Sequence, residues 1–298
     1  MTAPATPTGL QAWFAGARVR TLPAAVVPVL VGTAAARGVD GPLIAWRAVA
    51  AAVVALALQV ATNYANDYSD GVRGTDDDRV GPLRLVGSGL AAPAAVKRAA
   101  LLALAAAAVA GLVLALLTTL WLVVLGALCL AAAWGYTGTS RPYGYRGLGE
   151  VSVFVFFGLV AVCGTAYVQG QRVPVAAVIG GVGMGALACA ILVANNLRDL
   201  PTDAVAGKRT LAVRVGDRGT RGLYCGLLVL ALLVPLLVAG AERNPWPLLA
   251  LVAAPLAAAP VRAVRGGARG PALVPVLGAT GRLQLAIGVL LALGLAAT

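Results

Sequence analysis

Histidine is absent from this 298-residue chain, and charge is scarce. Without histidine there are no imidazole-ligated metals, no histidine general bases and no Ser-His-Asp chemistry. Only 11% of residues are charged, against about 25% in a soluble domain. Lysine is rare beside arginine. The four cysteines (Cys129, Cys163, Cys189 and Cys225) stand singly inside apolar runs. No pair has metal or redox spacing, so they read as small packing residues. No separate soluble stretch is visible, and residues 1–298 read as a single transmembrane domain.

What is present is lipid-compatible. Hydrophobic residues make up 60% of the chain, and the mean hydropathy is +0.89. A spanning helix needs about 20 mostly apolar residues. The runs predict nine such helices near 21–37, 44–64, 99–117, 119–137, 151–169, 173–195, 222–240, 245–261 and 282–298. The third and fourth are parted only by a polar dip at Thr118 and Thr119. Arg18 and Arg20 precede an apolar run ending TAAARG, which imitates a signal-peptide cleavage site. Pro23 and Pro28 fall inside that run, and its length favours retention as a first span.

The net charge of +12 is spread over loops between apolar runs, which fits membrane orientation and not nucleic-acid binding. Bases concentrate before span one and after spans two, four, six and eight. Arg37, Arg47, Arg172 and Arg243 lie on the opposite side. The alternation predicts a cytoplasmic N-terminus in a cell (inner) membrane, and nine spans. Gly181 and Gly185 in the sixth span have the spacing of a close helix contact.

Most of the acidic residues fall in two short stretches, each following an apolar run. The first is NYANDYSDGVRGTDDDRVGPLR, Asn63 to Arg84. The second is NNLRDLPTDAVAGKRTLAVRVG, Asn195 to Gly216. Carboxylates beside a bilayer are costly and mark a site. If span two continues past Tyr64, Asn63, Asn66, Asp67 and Asp70 share an arc of about 100°. Asn195, Asp199 and Asp203 recur at i,i+4 after span six. Asp and Asn also favour ordinary helix ends and turns. Two such clusters, each carrying Arg or Lys, fit a magnesium–diphosphate ligand better: acids hold the metal and bases hold the remaining phosphate charge. Gly74, Gly81, Gly87, Gly89 and Gly207 read as turn residues. The clusters recur about 130 residues apart, which hints at two related halves.

A third feature is YTGTSRPYGYRGLGE, Tyr136 to Glu150, on the same predicted face. Tyr136, Tyr143 and Tyr145 interleave with Arg141 and Arg146. Aromatic faces stabilise cations, and arginine pairs with carboxylates. An interfacial aromatic belt with positive-inside arginines is the plainer alternative.

These residues resemble the UbiA-type membrane prenyltransferase superfamily along nearly the whole chain. Its first motif begins Asn-Asp and continues with spaced aspartates, here Asn66, Asp67, Asp70 and one of Asp76, Asp77 or Asp78. Five residues separate Asp70 from Asp76, a wider gap than in many members. The second motif has two aspartates separated by three residues, here Asp199 and Asp203. The 1,4-dihydroxy-2-naphthoate polyprenyltransferase branch is indicated by RVRTLPAAVVPVLVG (Arg18 to Gly32), DRVGPLR, RPYGYRGLGE and the run from Asn195–Asn196 through Gly207-Lys208-Arg209-Thr210.

The resemblance implies an all-α fold of nine transmembrane helices around a central cavity. It also implies transfer of a polyprenyl group from polyprenyl diphosphate to 1,4-dihydroxy-2-naphthoate, with loss of carbon dioxide and diphosphate. Expected Mg²⁺ ligands, and the catalytic acids among them, are Asn66, Asp67, Asp70, Asp199 and Asp203. Asn63, Arg79, Lys208 and Arg209 are expected at the diphosphate, and Tyr136, Arg141 and Tyr143 near the acceptor or the diphosphate. Another aromatic acceptor, such as 4-hydroxybenzoate, is the alternative within the class. A cation-coupled transporter is the alternative outside it; its acids would lie at mid-membrane, whereas these lie at helix ends.

Overall fold

A computed structural model describes residues 9–37, 42–74 and 83–297. The described residues form helices and no strands. A short helix α1 (Leu10–Ala17) precedes α2 (Pro23–Ala35), α3 (Ala45–Val72), α4 (Pro93–Leu117) and α5 (Leu122–Thr137). Then come α6 (Gly149–Gly170), α7 (Val175–Val205), α8 (Leu211–Glu242), α9 (Trp246–Arg265) and α10 (Gly270–Ala296). Seven of these, α3, α4 and α6 to α10, are long and apolar enough to cross a membrane; α2 and α5 are shorter apolar helices. Each of the nine expected spans overlaps one of them.

Local sequence accounts for the breaks. Pro23 and Pro93 open α2 and α4 at their first turns, where a missing N–H costs nothing. Thr210 caps α8, its hydroxyl accepting from the Val213 N–H. Gly207, at φ +71°, ends α7 in the left-handed conformation and turns Lys208 back over the bundle.

α7 is the central helix, with 67% of its apolar window buried. Met184 and Leu187 on it meet Val27 and Val31 of α2, Tyr224 of α8, and Ile287 and Leu291 of α10 in one core. The Gly181–Gly185 contact forms as the spacing predicts. A Cβ on Gly158 of α6 would come within 2.5 Å of the Gly185 Cα and 2.6 Å of the Gly181 carbonyl oxygen. Only backbone fits there. Gly158 lies in a π-helical stretch of α6, Phe154–Val160.

α3 runs two turns past Tyr64, as the acid pattern requires. Its last turns do not use all four polar residues alike. Asp67 sits about 100° round the helix from Asn66, at the edge nearest the loop between α3 and α4. Its carboxylate accepts the N–H groups of Leu85 (2.7 Å) and Val86 (3.0 Å) and is 1% exposed. Leu85 packs on Gly16 and Tyr64, and Val86 on Gly71. Asp67, expected as a catalytic metal ligand, is therefore a loop anchor in this structure.

Truncating Asp67 leaves two buried amides without an acceptor. Asp67→Ala is expected to destabilise the fold by roughly 2–3 kcal/mol, lowering the thermal midpoint in detergent by several degrees. Asp203→Ala is expected to change it little. An unaltered midpoint for Asp67→Ala would remove the anchoring role.

Candidate active site

A cavity of about 1490 Å³ is enclosed by α2 to α7 and α10. It follows α3 from Ala51 to Asp70, roughly 28 Å at 1.5 Å per residue. Along that length the wall changes character. Ala51, Val54, Ala55 and Leu58 give way to Asn63, Asn66 and Asp70. α7 repeats the change, from Ala188, Ile191 and Leu192 to Asn195, Asn196, Asp199 and Asp203. The cavity thus has a polar end, where the C-terminal turns of α3 and α7 meet, and an apolar arm continued by α4, α5 and α6.

The meeting point is Asp70, 5% exposed. Its Oδ1 accepts from Lys208 Nζ at 3.0 Å, 138 residues away in sequence. Its Oδ2 accepts from Arg84 at 3.0 Å. The Tyr145 hydroxyl also donates to Oδ1. Lys208 stacks over the Tyr145 ring, 4.6 Å from its centroid. Burial, and then the Asp70 charge, push the Tyr145 phenol above its ordinary range, so it stays a donor. Three segments are joined on one carboxylate: the end of α3, the turn before α6 and the turn after α7.

Asp199 is held differently. Arg198 grips it with Nε on Oδ1 and a terminal nitrogen on Oδ2, both at 2.6 Å. The same nitrogen reaches Asn195 Oδ1 at 2.9 Å. Arg198 Nη1 is buried with no hydrogen-bond partner among the described residues. Asn63 donates to the Ala17 carbonyl at 2.9 Å, fixing α3 to the end of α1. Asn66 accepts from the Thr137 hydroxyl. Tyr136 and Tyr143 line the cavity edge to face, centroids 5.6 Å apart. Burial raises the Tyr143 phenol.

The expected residues thus divide. Asn63, Asn66, Asp70, Tyr136, Tyr143, Asp199, Asp203 and Lys208 line one cavity. Asp67 does not, for the reason given above. Arg141 and Arg209 are exposed and do not line the cavity; Arg209 contributes its backbone N–H to the Tyr145 carbonyl. Arg209 follows the inward-turned Lys208, and Arg141 stands two residues before Tyr143, but both arginine side chains are exposed. Arg79 and the run Asp76 to Asp78 lie outside the described residues.

Five further basic or phenolic residues line the cavity beyond those expected at the site: Arg18, Arg84, Tyr145, Arg198 and Arg282. Arg18 holds a left-handed φ of +54°, a costly conformation without glycine that clusters at functional sites. Adjacent helical residues point about 100° apart, yet the long guanidinium of Arg198 bends back to reach Asp199. Among described residues, five basic and three acidic side chains line the cavity, so its polar end attracts anions.

Residues 25–272 match the UbiA prenyltransferase family. A 1,4-dihydroxy-2-naphthoate octaprenyltransferase of Mycobacterium tuberculosis is 56% identical over 273 residues, 92% of each chain. The enzyme of the same name from Escherichia coli is 37% identical over 96% of this chain and 95% of its own. Among solved structures, a UbiA homolog from Aeropyrum pernix superposes with a TM-score of 0.73, at 16% identity, over 92% of this chain and 97% of its own. A UbiA homolog from Archaeoglobus fulgidus, bound to DMAPP and Mg²⁺, gives 0.65 at 15% identity over 94% and 98%. The helices, the cavity and the two acidic helix ends are those of a membrane-embedded enzyme, and the chain belongs to the UbiA prenyltransferase family.

Proposed function

We propose that this chain, as a single prenyltransferase domain, moves a polyprenyl group from polyprenyl diphosphate to 1,4-dihydroxy-2-naphthoate. Carbon dioxide and diphosphate leave, and the reduced product, demethylmenaquinol, forms. The carrying observation is the joining of α3 and α7 through the Lys208–Asp70 contact, at the polar end of a cavity whose other end is hydrocarbon. The naphthoate enzymes named above, similar along nearly their whole length, support this acceptor.

The donor set fits magnesium. Asp70, Asp199, Asp203 and the Asn66 amide offer hard oxygen ligands. Among the described residues no three acidic or thiol side chains form a ready-made cage. Magnesium is ordinarily held by one or two carboxylates together with waters and substrate phosphates. Asp70, Asp199 and Asp203 would hold it, and once bound it would neutralise charge on the departing diphosphate.

The remaining work belongs to the protein's own cations and walls. Arg84 and Lys208, already on Asp70, offer donors to phosphate oxygens, and Arg198 keeps Asp199 oriented. As the bond from prenyl C1 to oxygen breaks, its electron pair leaves with diphosphate. The ring carbon of the naphthoate attacks C1. Loss of the carboxylate as carbon dioxide returns its electron pair to the ring, so no strong base is required. The apolar wall keeps water from the allylic cation. The bases flanking the polar end support a cytoplasmic position for it and for the N-terminus at the cell membrane.

Purified enzyme supplied with 1,4-dihydroxy-2-naphthoate and a labelled polyprenyl diphosphate is expected to yield demethylmenaquinol, read by mass analysis as the quinol or as the quinone that air oxidation makes from it. Product should vanish in excess chelator and return with Mg²⁺. Full activity in chelator would remove the metal, and a product only from 4-hydroxybenzoate would replace the acceptor. Asp70→Asn and Asp199→Asn are expected to lower kcat about 100-fold or more at a temperature where the variants remain folded, with thermal midpoints lowered because each takes a carboxylate charge away from a buried cation. Arg141→Ala and Arg209→Ala should stay within about 2-fold, as exposed charges away from the cavity do. Reversal of those two pairs of results would overturn the site as drawn.

A further inference from the structure

Glu150 is a buried acid that the transfer of charge to diphosphate does not use. It lies in the first turn of α6, is 7% exposed, and does not line the cavity. Its Oε1 accepts from Asn196 Nδ2 at 2.9 Å. Its Oε2 is buried without a hydrogen-bond partner among the described residues. Its backbone is pinned as well: the Cys189 thiol donates to the Glu150 carbonyl at 3.0 Å. A Cβ on neighbouring Gly149 would meet the Tyr136 hydroxyl at 3.2 Å. A carboxylate kept in such surroundings is costly, and inside a membrane protein that cost points to function.

The consequence falls on Asn196, which does line the cavity. An amide can present either its NH₂ or its carbonyl, and density or packing alone seldom decides which. Here chemistry decides. A carboxylate only accepts, so the NH₂ must face Glu150. That leaves Oδ1, which has no hydrogen-bond partner among the described residues, as the group Asn196 can offer to a ligand. Asn196 lies one turn before Asp199 on α7, about 4.5 Å along the axis toward the apolar arm. On the reaction proposed above, an acceptor ring that meets prenyl C1 would lie between the diphosphate end and the apolar arm, on this stretch of the wall. Tyr136 and Leu192 line the cavity beside it.

We propose that Asn196 Oδ1 is the recognition point for a hydroxyl group of the aromatic acceptor, and that Glu150 is a positioning residue that locks the amide in the accepting orientation. The inference rests on the acceptor reading above and adds the group that reads its O–H. It makes the site selective for a hydroxyl over a methoxy group, since the latter has no proton to give.

The test is direct binding, which does not depend on turnover. Fluorescence titration of purified full-length protein would compare 1,4-dihydroxy-2-naphthoate with its 1-methoxy and 4-methoxy analogues. Wild-type protein is expected to bind one of the two analogues at least ~10-fold more weakly than the parent. Asn196→Ala should lose a similar factor for the parent and no further factor for that analogue. Glu150→Gln is the decisive variant. Glutamine can present its own NH₂, letting the Asn196 amide reverse, so the hydroxyl-to-methoxy preference should fall toward unity. Polyprenyl diphosphate binding should change less than ~2-fold in both variants. Equal losses for parent and analogues, or a preference kept in Glu150→Gln, would overturn the assignment. Absence of prenyl transfer with the binding pattern intact would instead overturn the reaction while leaving this subsite standing.

Discussion

The site depends on a single carboxylate being held by groups that are distant in sequence. Asp70 receives Lys208 from the turn after α7, Arg84 from the loop after α3 and Tyr145 from the turn before α6. A lone buried aspartate would be expelled or neutralised; one with two cations and a phenol is stable. The pairing also poises the site. Arg84 and Lys208 are kept beside the place where phosphate oxygens would come, and are balanced by a group that a divalent ion can take over. The supports of this cluster are structural in the ordinary sense. Asp67 holds the loop that carries Arg84, and Gly207 turns the chain that carries Lys208.

Much of this was legible in the residues. Apolar run length located an apolar helix at each expected position, seven of them long enough to cross a membrane, because a bilayer imposes a length rule that a soluble core does not. The acid pattern foretold that α3 and α7 extend beyond their apolar parts. Boundaries failed where composition is mixed. α10 starts at Gly270 and not near 282, because Pro275, Gly278 and Arg282 depress the local hydropathy of a helix that is nonetheless continuous. The π-helical stretch of α6 leaves no mark that periodicity can read.

Within the site, helix spacing told which residues share an arc but not which edge of the arc meets a loop, and Asp67 sits at such an edge. It also could not follow long side chains, so Arg198 was passed over beside the acid it grips. Arg141 and Arg209 show the converse. They belong to the right segments and have the right charge, yet Arg209 only follows the inward-turned Lys208 and Arg141 only precedes Tyr143 by two residues, and both side chains are exposed. Glu150 and Asn196 were visible only as motif letters. Their pairing across α6 and α7 is a tertiary fact, set by how closely those two helices approach.

That approach is set by Gly158, Gly181 and Gly185: a Cβ on Gly158 would meet only backbone of α7, while Phe154 and Leu159 flank the contact. The two helices that carry Glu150 and Asn196 are thus spaced by glycine and not by side-chain bulk. A larger residue at any of the three positions would push α6 from α7 and part that pair before it touched the acids at the end of α3.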